Sequence, residues 1–293
     1  MYKYGKTFRE IRKQKNLTLQ YIAKDIMSVS MISKFERDEA DVTLSRIIPI
    51  LDRMNVTLEE FLYTHNEFKK SEFRETLSLV IKAYQQSNLT LISRIIEEEE
   101  EKFNKTEIVD FKMNSLMFKA IRSDLTGEQL TQESIDFVVN ILWSLEVWGE
   151  YEVTIYGNMI KVINIESVIL LSKEIFKKSK RYARLTSHRA DIYGIMINTI
   201  IVCLEKNKNE ESMFFLTEVK KSNIPEQFIY EKLIFKYLDG LLELGKGNIK
   251  NGYNLADEVI RIFTFAESNS NVMIYSKYLD EFIQKRSIPD RNS

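Results

Sequence analysis

The stretch Thr18–Arg37, TLQYIAKDIMSVSMISKFER, decides the fold of the amino-terminal region. Thr18 stands before Leu19, Ile22 and Ala23, whose spacing is that of one apolar helix face. A Thr in that place accepts a backbone N–H that the first helical turn leaves unpaired. Ser28 repeats the device ahead of Met31, Ile32 and Phe35, and the outward side of this second helix carries Val29, Ser30, Ser33, Lys34 and Arg37. A duplex major groove admits one such helix, polar on the side that meets the bases. The pattern implies a DNA-reading element.

The flanks agree with it. Tyr2–Lys15 places Phe8, Ile11 and Arg12 at helical spacing behind a basic amino end. Thr43 opens a fourth helix with Leu44, Ile47, Ile48 and Leu51 as the expected inward set, and Thr57-Leu58-Glu59-Glu60 is a capping box for a fifth that ends near Leu62. Up to Arg37 the chain has nine Lys and Arg against Glu10, Asp25 and Glu36, a local charge of +6 in a chain whose net charge is -1. The remainder is therefore -7, which DNA repels. A small binding head, residues 1–65, joins a larger body, residues 66–286, with a tail over 287–293.

Nine Gly and three Pro in 293 residues are too few for the turns of a strand-rich fold, so the expected class is all-α. A single cysteine, Cys203, excludes a disulfide framework and a multi-thiolate metal site. There is neither an apolar signal region at the amino end nor an apolar run of about eighteen residues, which points to the cytoplasm and away from membranes.

The body reads as amphipathic segments with short polar joints at Gln85–Asn88, Ser123–Gly127, Gly149–Glu150, Asn164–Glu166, Lys206–Glu210, Ser222–Pro225, Gly245–Asn248 and Glu267–Asn271. LIFKYLDGLLELGKG followed by IKNGYNLADEVIRIFTFAES resembles one tetratricopeptide-like helix pair, and Leu145–Met159 is a second echo. No strict period is present; a solenoid of paired helices is the expected architecture.

Residues 1–63 resemble the helix-turn-helix domain of XRE (Cro/C1-type) repressors, through Phe8–Arg12, Thr18 with Ile22-Ala23, Ser28, Ser30, Ile32-Ser33 and Phe35-Glu36, and Val56-Thr57 before Leu58–Phe61. Two positions depart from that pattern: Ile26 stands where the turn normally has Gly, and Asp38 where Gly follows the recognition helix. The resemblance implies that Ser28, Val29, Ser30 and Ser33 face bases or nearby phosphates. Gln20, Lys34 and Arg37 would hold the backbone, and Arg12 would pair with Glu36. With a divergent repeat body behind such a head, the full chain resembles the Rgg-type regulators of streptococci and relatives, cytoplasmic receptors for imported signalling peptides. That implies a homodimeric, quorum-sensing transcription factor on double-stranded promoter DNA, with a short hydrophobic peptide in its repeat domain.

The body's chemistry permits a peptide. Asn158 and Asn198 sit mid-helix without a propensity reason, beside Tyr156 and Tyr193, and an amide side chain both donates to and accepts from a backbone. Arg122, Arg184 and Arg189 suit a terminal carboxylate. The alternative for each Asn is a cap or a bond to a backbone kink. The apolar content of Ile249–Lys285 suggests the dimer interface there.

Other signals lose their force on inspection. Gly240–Gly247 nearly spells a phosphate-binding loop, but Gly247 replaces the Ser or Thr that holds magnesium. Glu97–Glu101 cannot converge on one ion because successive helical residues point all round the axis, and the run reads as a solvated face. His65 and His188 lie far apart with no partner motif; Cys203, Trp143 and Trp148 read as core. Neither a cofactor nor a metal is implied, nor an enzyme. The competing function is a DNA-tethered helical scaffold that binds a protein partner rather than a peptide.

Overall fold

The computed structural model describes residues 3–66, 72–179 and 186–288, and everything described is helix or connecting turn. Two compact units divide the chain, residues 1–82 and 83–293.

The first unit contains α1 (Tyr4–Gln14), α2 (Leu19–Ala23), α3 (Val29–Glu36), α4 (Leu44–Arg53) and α5 (Leu58–His65). Each cap read from the sequence forms except one. Thr18 accepts from Tyr21 N, Ser28 from Met31 N, and Thr57 and Glu60 exchange both bonds of a capping box, whereas Thr43 makes no side-chain cap. Phe8, Ile22, Ile32, Ile50, Leu51, Met54 and Phe61 fill the core. The fourth helix departs from expectation: Leu44 and Ile48 face outward, and Ile50 supplies the buried contact instead.

The turn before α3 resolves its missing glycine by shifting one residue. Asp25, not Ile26, takes the left-handed conformation at φ 59°, and Ile26 packs on the core. Asp tolerates that region better than a β-branched residue does. Arg53 from α4 closes the turn, donating from Nη1 to the carbonyls of Tyr21, Ile22 and Lys24 at the end of α2. At the other end of α3, Asp38 takes φ 57° and its carboxylate accepts from Gly5 N at 2.8 Å. A Cβ on Gly5 would stand 1.8 Å from Phe35 O, so glycine is what lets α1 meet the end of α3.

α6 (Glu72–Gln85) runs across the boundary between the units. The second unit continues with α7 (Leu89–Thr106), α8 (Val109–Thr126), α9 (Gln132–Ser144), α10 (Glu150–Met159), α11 (Ile165–Ser179) and α12 (Thr186–Glu205). It ends with α13 (Asn209–Lys221), a single 3-10 turn at Glu226–Phe228, α14 (Ile229–Gly245), α15 (Ile249–Phe265) and α16 (Asn269–Arg286). Most neighbours in sequence pack as pairs, and α8, α10, α12, α14 and α16 also touch in succession to form one row of the stack. The α14–α15 pair approaches closely because Gly240 and Gly252 face each other; a Cβ on Gly240 would meet Gly252 O at 2.9 Å. The loop-like Gly240–Gly247 run is thus the end of a helix.

The turn between α7 and α8 was invisible in the sequence. Glu107 makes it at φ 57°, with no glycine or proline to announce it. Asn55, Ser87, Asn207, Asn223 and Glu267 use the same conformation elsewhere, which is how so many helices end in a glycine-poor chain.

Buried polar groups tie the rows together. Tyr156 OH lies 3.0 Å from Val168 O and 2.7 Å from Ser172 Oγ, and Ser172 is 2.7 Å from Thr199 Oγ1, which donates to Ile195 O. This chain of hydroxyls fastens α10 to α11 and α12. The glutamate run also proves unequal: Glu99 is buried, accepting from Asn114 Nδ2 at 2.7 Å and Lys102 Nζ at 2.9 Å, while Tyr151 OH reaches Asn114 Oδ1 at 3.0 Å. Trp148 is core as expected, but Trp143 is exposed.

Candidate functional site

On the first unit the outward face of α3 is the candidate. Gln20, Ser28, Val29, Ser30, Lys34 and Arg37 are exposed and Ser33 half-buried. Successive positions four apart share a helix face, so Val29, Ser33 and Arg37 form one line with Ser30 and Lys34 beside it. The opposite side of α3 is held down by Ile32, Phe35 and Glu36. Glu36 takes two bonds from Arg12, Nε to Oε1 at 2.5 Å and Nη2 to Oε2 at 2.8 Å, and Arg12 Nη1 donates to Leu17 O. Both side chains are nearly enclosed, so this bidentate pair fixes α3 on α1 as expected. His65 has a packing role: it shares a hydrogen bond with Thr7 Oγ1 and lies 4.4 Å from the Tyr4 ring centroid.

On the second unit the expected ligand residues separate. Asn158 on α10 is half-buried; its Nδ2 donates to Thr154 O at 2.8 Å, and its Oδ1 has no partner among the described residues. Asn198 on α12 is half-buried too, and its Nδ2 lies 3.5 Å from Gly157 O, so the fold brings the Asn198 amide to the backbone next to Asn158. Two glycines that the sequence reading passed over border them. Gly194, one turn before Asn198 on the same face, has nothing within 4 Å of where a Cβ would stand, and Gly157 meets only Ile195 at 3.9 Å. Neither glycine is needed for packing. A mid-helix glycine costs about 1 kcal/mol relative to alanine, and bare backbone next to open amides is the arrangement an approaching chain requires.

The other expected contacts do not join this surface. Tyr156 is fully buried with its hydroxyl engaged, and Tyr193 packs edge-on against Phe228 and Phe235, so both are core residues. Arg122 is spent on Ser93 Oγ and Glu128 Oε2, each at 2.9 Å. Arg189 lies on α12 but two and a half turns from Asn198, which puts it on the opposite side of the helix. Arg184 lies outside the described residues. Cys203 is buried between apolar residues, and burial pushes its thiol up to about 12.

One clamp escaped the sequence reading because its members come from two helices and a turn that are far apart in the chain. Asp124 at the end of α8 accepts from Tyr84 OH at 2.5 Å and lies 3.3 Å from Lys161 Nζ, which follows α10. The phenol's hydrogen bond, then Lys161's charge, hold the Asp124 carboxyl below the usual range, and the same bond pushes Tyr84 up to about 12.

Residues 89–277 match the family described as HTH-type transcriptional regulator Rgg, C-terminal domain, and residues 8–61 match a helix-turn-helix family. The chain belongs to the Rgg family of transcriptional regulators. Among solved structures, the SHP pheromone receptor Rgg2 of Streptococcus dysgalactiae is 26% identical, with 95% of this chain and 99% of that one covered at a TM-score of 0.81. A putative transcriptional regulator from Listeria monocytogenes EGD-e shares the fold at 20% identity, with coverage of 98% and 99% and a TM-score of 0.86. PrgX, in complex with iCF10, shares it at 16% identity over the whole of both chains, with a TM-score of 0.76. As an Rgg regulator the chain is a helix-turn-helix transcription factor with an all-helical carboxy-terminal domain, and among the described residues no helix is long and apolar enough to cross a membrane.

Proposed function

We propose that this protein is a cytoplasmic quorum-sensing receptor that controls promoter activity as a homodimer. Its amino-terminal head, residues 1–65, holds double-stranded DNA. A short hydrophobic signalling peptide, taken up from outside, lies along α10 and α12 in the body. The observation that carries the peptide reading is the juxtaposition of Asn158 and Asn198 with the unneeded glycines Gly157 and Gly194. An extended peptide presents unpaired amides every residue, and these two side chains with adjacent bare backbone can meet them. That Rgg2 is a pheromone receptor supports the same reading. Ser28, Val29, Ser30 and Ser33 form the base-facing group on DNA, with Gln20, Lys34 and Arg37 on phosphates. Exposed Ile262, Phe265, Met273 and Ile274 favour α15 and α16 for contact between subunits.

Fluorescence anisotropy tests both halves. Labelled synthetic hydrophobic peptides, chosen from small reading frames beside the gene, are titrated with protein, with and without promoter DNA. One peptide should saturate while its scramble does not. Asn158→Ala should weaken that peptide about 2- to 10-fold, the worth of one hydrogen bond, and leave peptide-free DNA binding unchanged. Lys34→Ala should weaken DNA and lower the salt slope by about 1. Promoter DNA bound normally while none of the peptides binds would instead favour a scaffold for a protein partner.

A further inference from the structure

Glu39 lies just beyond the recognition helix, a poor place for a carboxylate if its only neighbour were DNA. Its position is nonetheless built. Arg37 caps α3, Asp38 follows in the left-handed conformation, and the backbone then closes with Asp38 N on Phe35 O at 2.8 Å and Glu39 N on Lys34 O at 2.9 Å. This paired closure fixes the backbone of Glu39 relative to the helix, and Asp38 is anchored again through Gly5 N. The Glu39 carboxylate is thereby delivered to the side of Arg37, where it accepts from Nε and from Nη2, both at 2.7 Å. On the other side Arg37 Nη1 donates to Ser33 Oγ at 2.8 Å. A guanidinium has five N–H donors. Three are used, and one remains on each Nη nitrogen.

We propose that Glu39 is a positioning residue for DNA binding: with Ser33 it holds the Arg37 fork along the line of α3, ready to give its two remaining N–H groups to one phosphate. The inference rests on the reading of α3 as the recognition helix. Arg37 otherwise has a flexible stem, and holding it in one orientation removes an ordering cost at the moment of binding and fixes the register of the helix in the groove. The sign of the effect separates this role from simple charge. By electrostatics alone, removal of a carboxylate beside the phosphates strengthens binding to every DNA. Loss of a positioning group weakens binding where the phosphate sits in the fitted register and not elsewhere.

The test uses the full-length protein and two duplexes: one selected by the wild-type protein from a random-sequence library, and one of scrambled sequence. Glu39→Gln keeps size and removes the charge-assisted fork. It should weaken the selected duplex about 3- to 10-fold, corresponding to a lost hydrogen bond, while scrambled DNA binds as well or better. Arg37→Ala should weaken both duplexes and lower the salt slope by about 1. In the Arg37→Ala background, Glu39→Gln should no longer weaken the selected duplex. Ser33→Ala, which removes the other anchor of the fork, should weaken the selected duplex in the same direction. Equal tightening of both duplexes by Glu39→Gln, or weakening that persists without Arg37, overturns the proposal. Wild-type binding of both duplexes by Arg37→Ala and Lys34→Ala together would instead overturn the recognition-helix reading itself.

Discussion

The two units solve the same problem, fixing a helix that must present polar groups, by different means. In the first, a buried ion pair, Arg12 with Glu36, pins α3 from beneath, so its outer face is free for Val29, Ser30 and Lys34. In the second, α10 and α12 are joined by the neutral hydroxyl chain Tyr156–Ser172–Thr199, and Asn158 and Asn198 emerge beside it. A bidentate charge pair dictates one geometry strongly and is severe when half of it is lost. Neutral hydroxyls fail more gently. The difference suits a head that presents one fixed face and a body proposed to hold a peptide.

Breaking the pair should give the largest effect. Glu36→Ala leaves the Arg12 guanidinium enclosed without its carboxylate, at a cost of about 3–5 kcal/mol. That is most of the stability of so small a unit, so DNA binding should vanish, limited proteolysis should cut within residues 1–65, and the body's thermal transition should stay where it was. Thr199→Val preserves shape and deprives Ser172 of its acceptor. It should cost about 1–3 kcal/mol and lower the body's melting temperature by about 2–12 °C, with peptide-free DNA binding unchanged. If instead it disturbed DNA binding as much as Glu36→Ala, the contrast between the units would be wrong.

The smallest effect belongs to the Tyr84–Asp124–Lys161 clamp, which is partly open to water. Asp124 has a depressed pKa in the fold, so its contribution is present above the unfolded value of about 4 and fades as pH falls through the lower folded value. Tyr84 is shifted up to about 12, so its contribution holds below the unfolded value of about 10 and is lost as pH rises toward the folded one. Tyr84→Phe should therefore lower the melting temperature by no more than about 3 °C. That difference should appear near neutrality and shrink at both extremes of a pH series.

How much the sequence revealed follows from the same contrast. Thr18, Ser28 and Thr57 act on backbone groups three residues away, so their roles can be read locally. Arg12 and Glu36 were found through the resemblance. Gly5 and Arg53 were missed because each meets a partner some thirty residues away in the chain, Phe35 and the end of α2 respectively. In the body the all-helical class was legible from scarce Gly and Pro, yet the surface proposed for the peptide was only half so. The two Asn were visible as oddities of propensity, whereas Gly157 and Gly194 acquire meaning only when the space around them is known. Tyr156 and Tyr193 share local surroundings with the Asn residues but point inward. Glu99, in a run of identical neighbours, differs from them only by the turn of the helix that faces Asn114.

The buried thiol of Cys203 carries a practical consequence. Burial pushes the thiol up to about 12, so the nucleophilic thiolate is scarce at pH 7. Maleimide reagents should find the folded protein almost silent. A cysteine placed at an exposed position, for instance Ser30→Cys on α3 or Phe265→Cys at the end of α15, would then be the single labelled point, and no background mutation would be needed before a fluorophore or spin probe is attached.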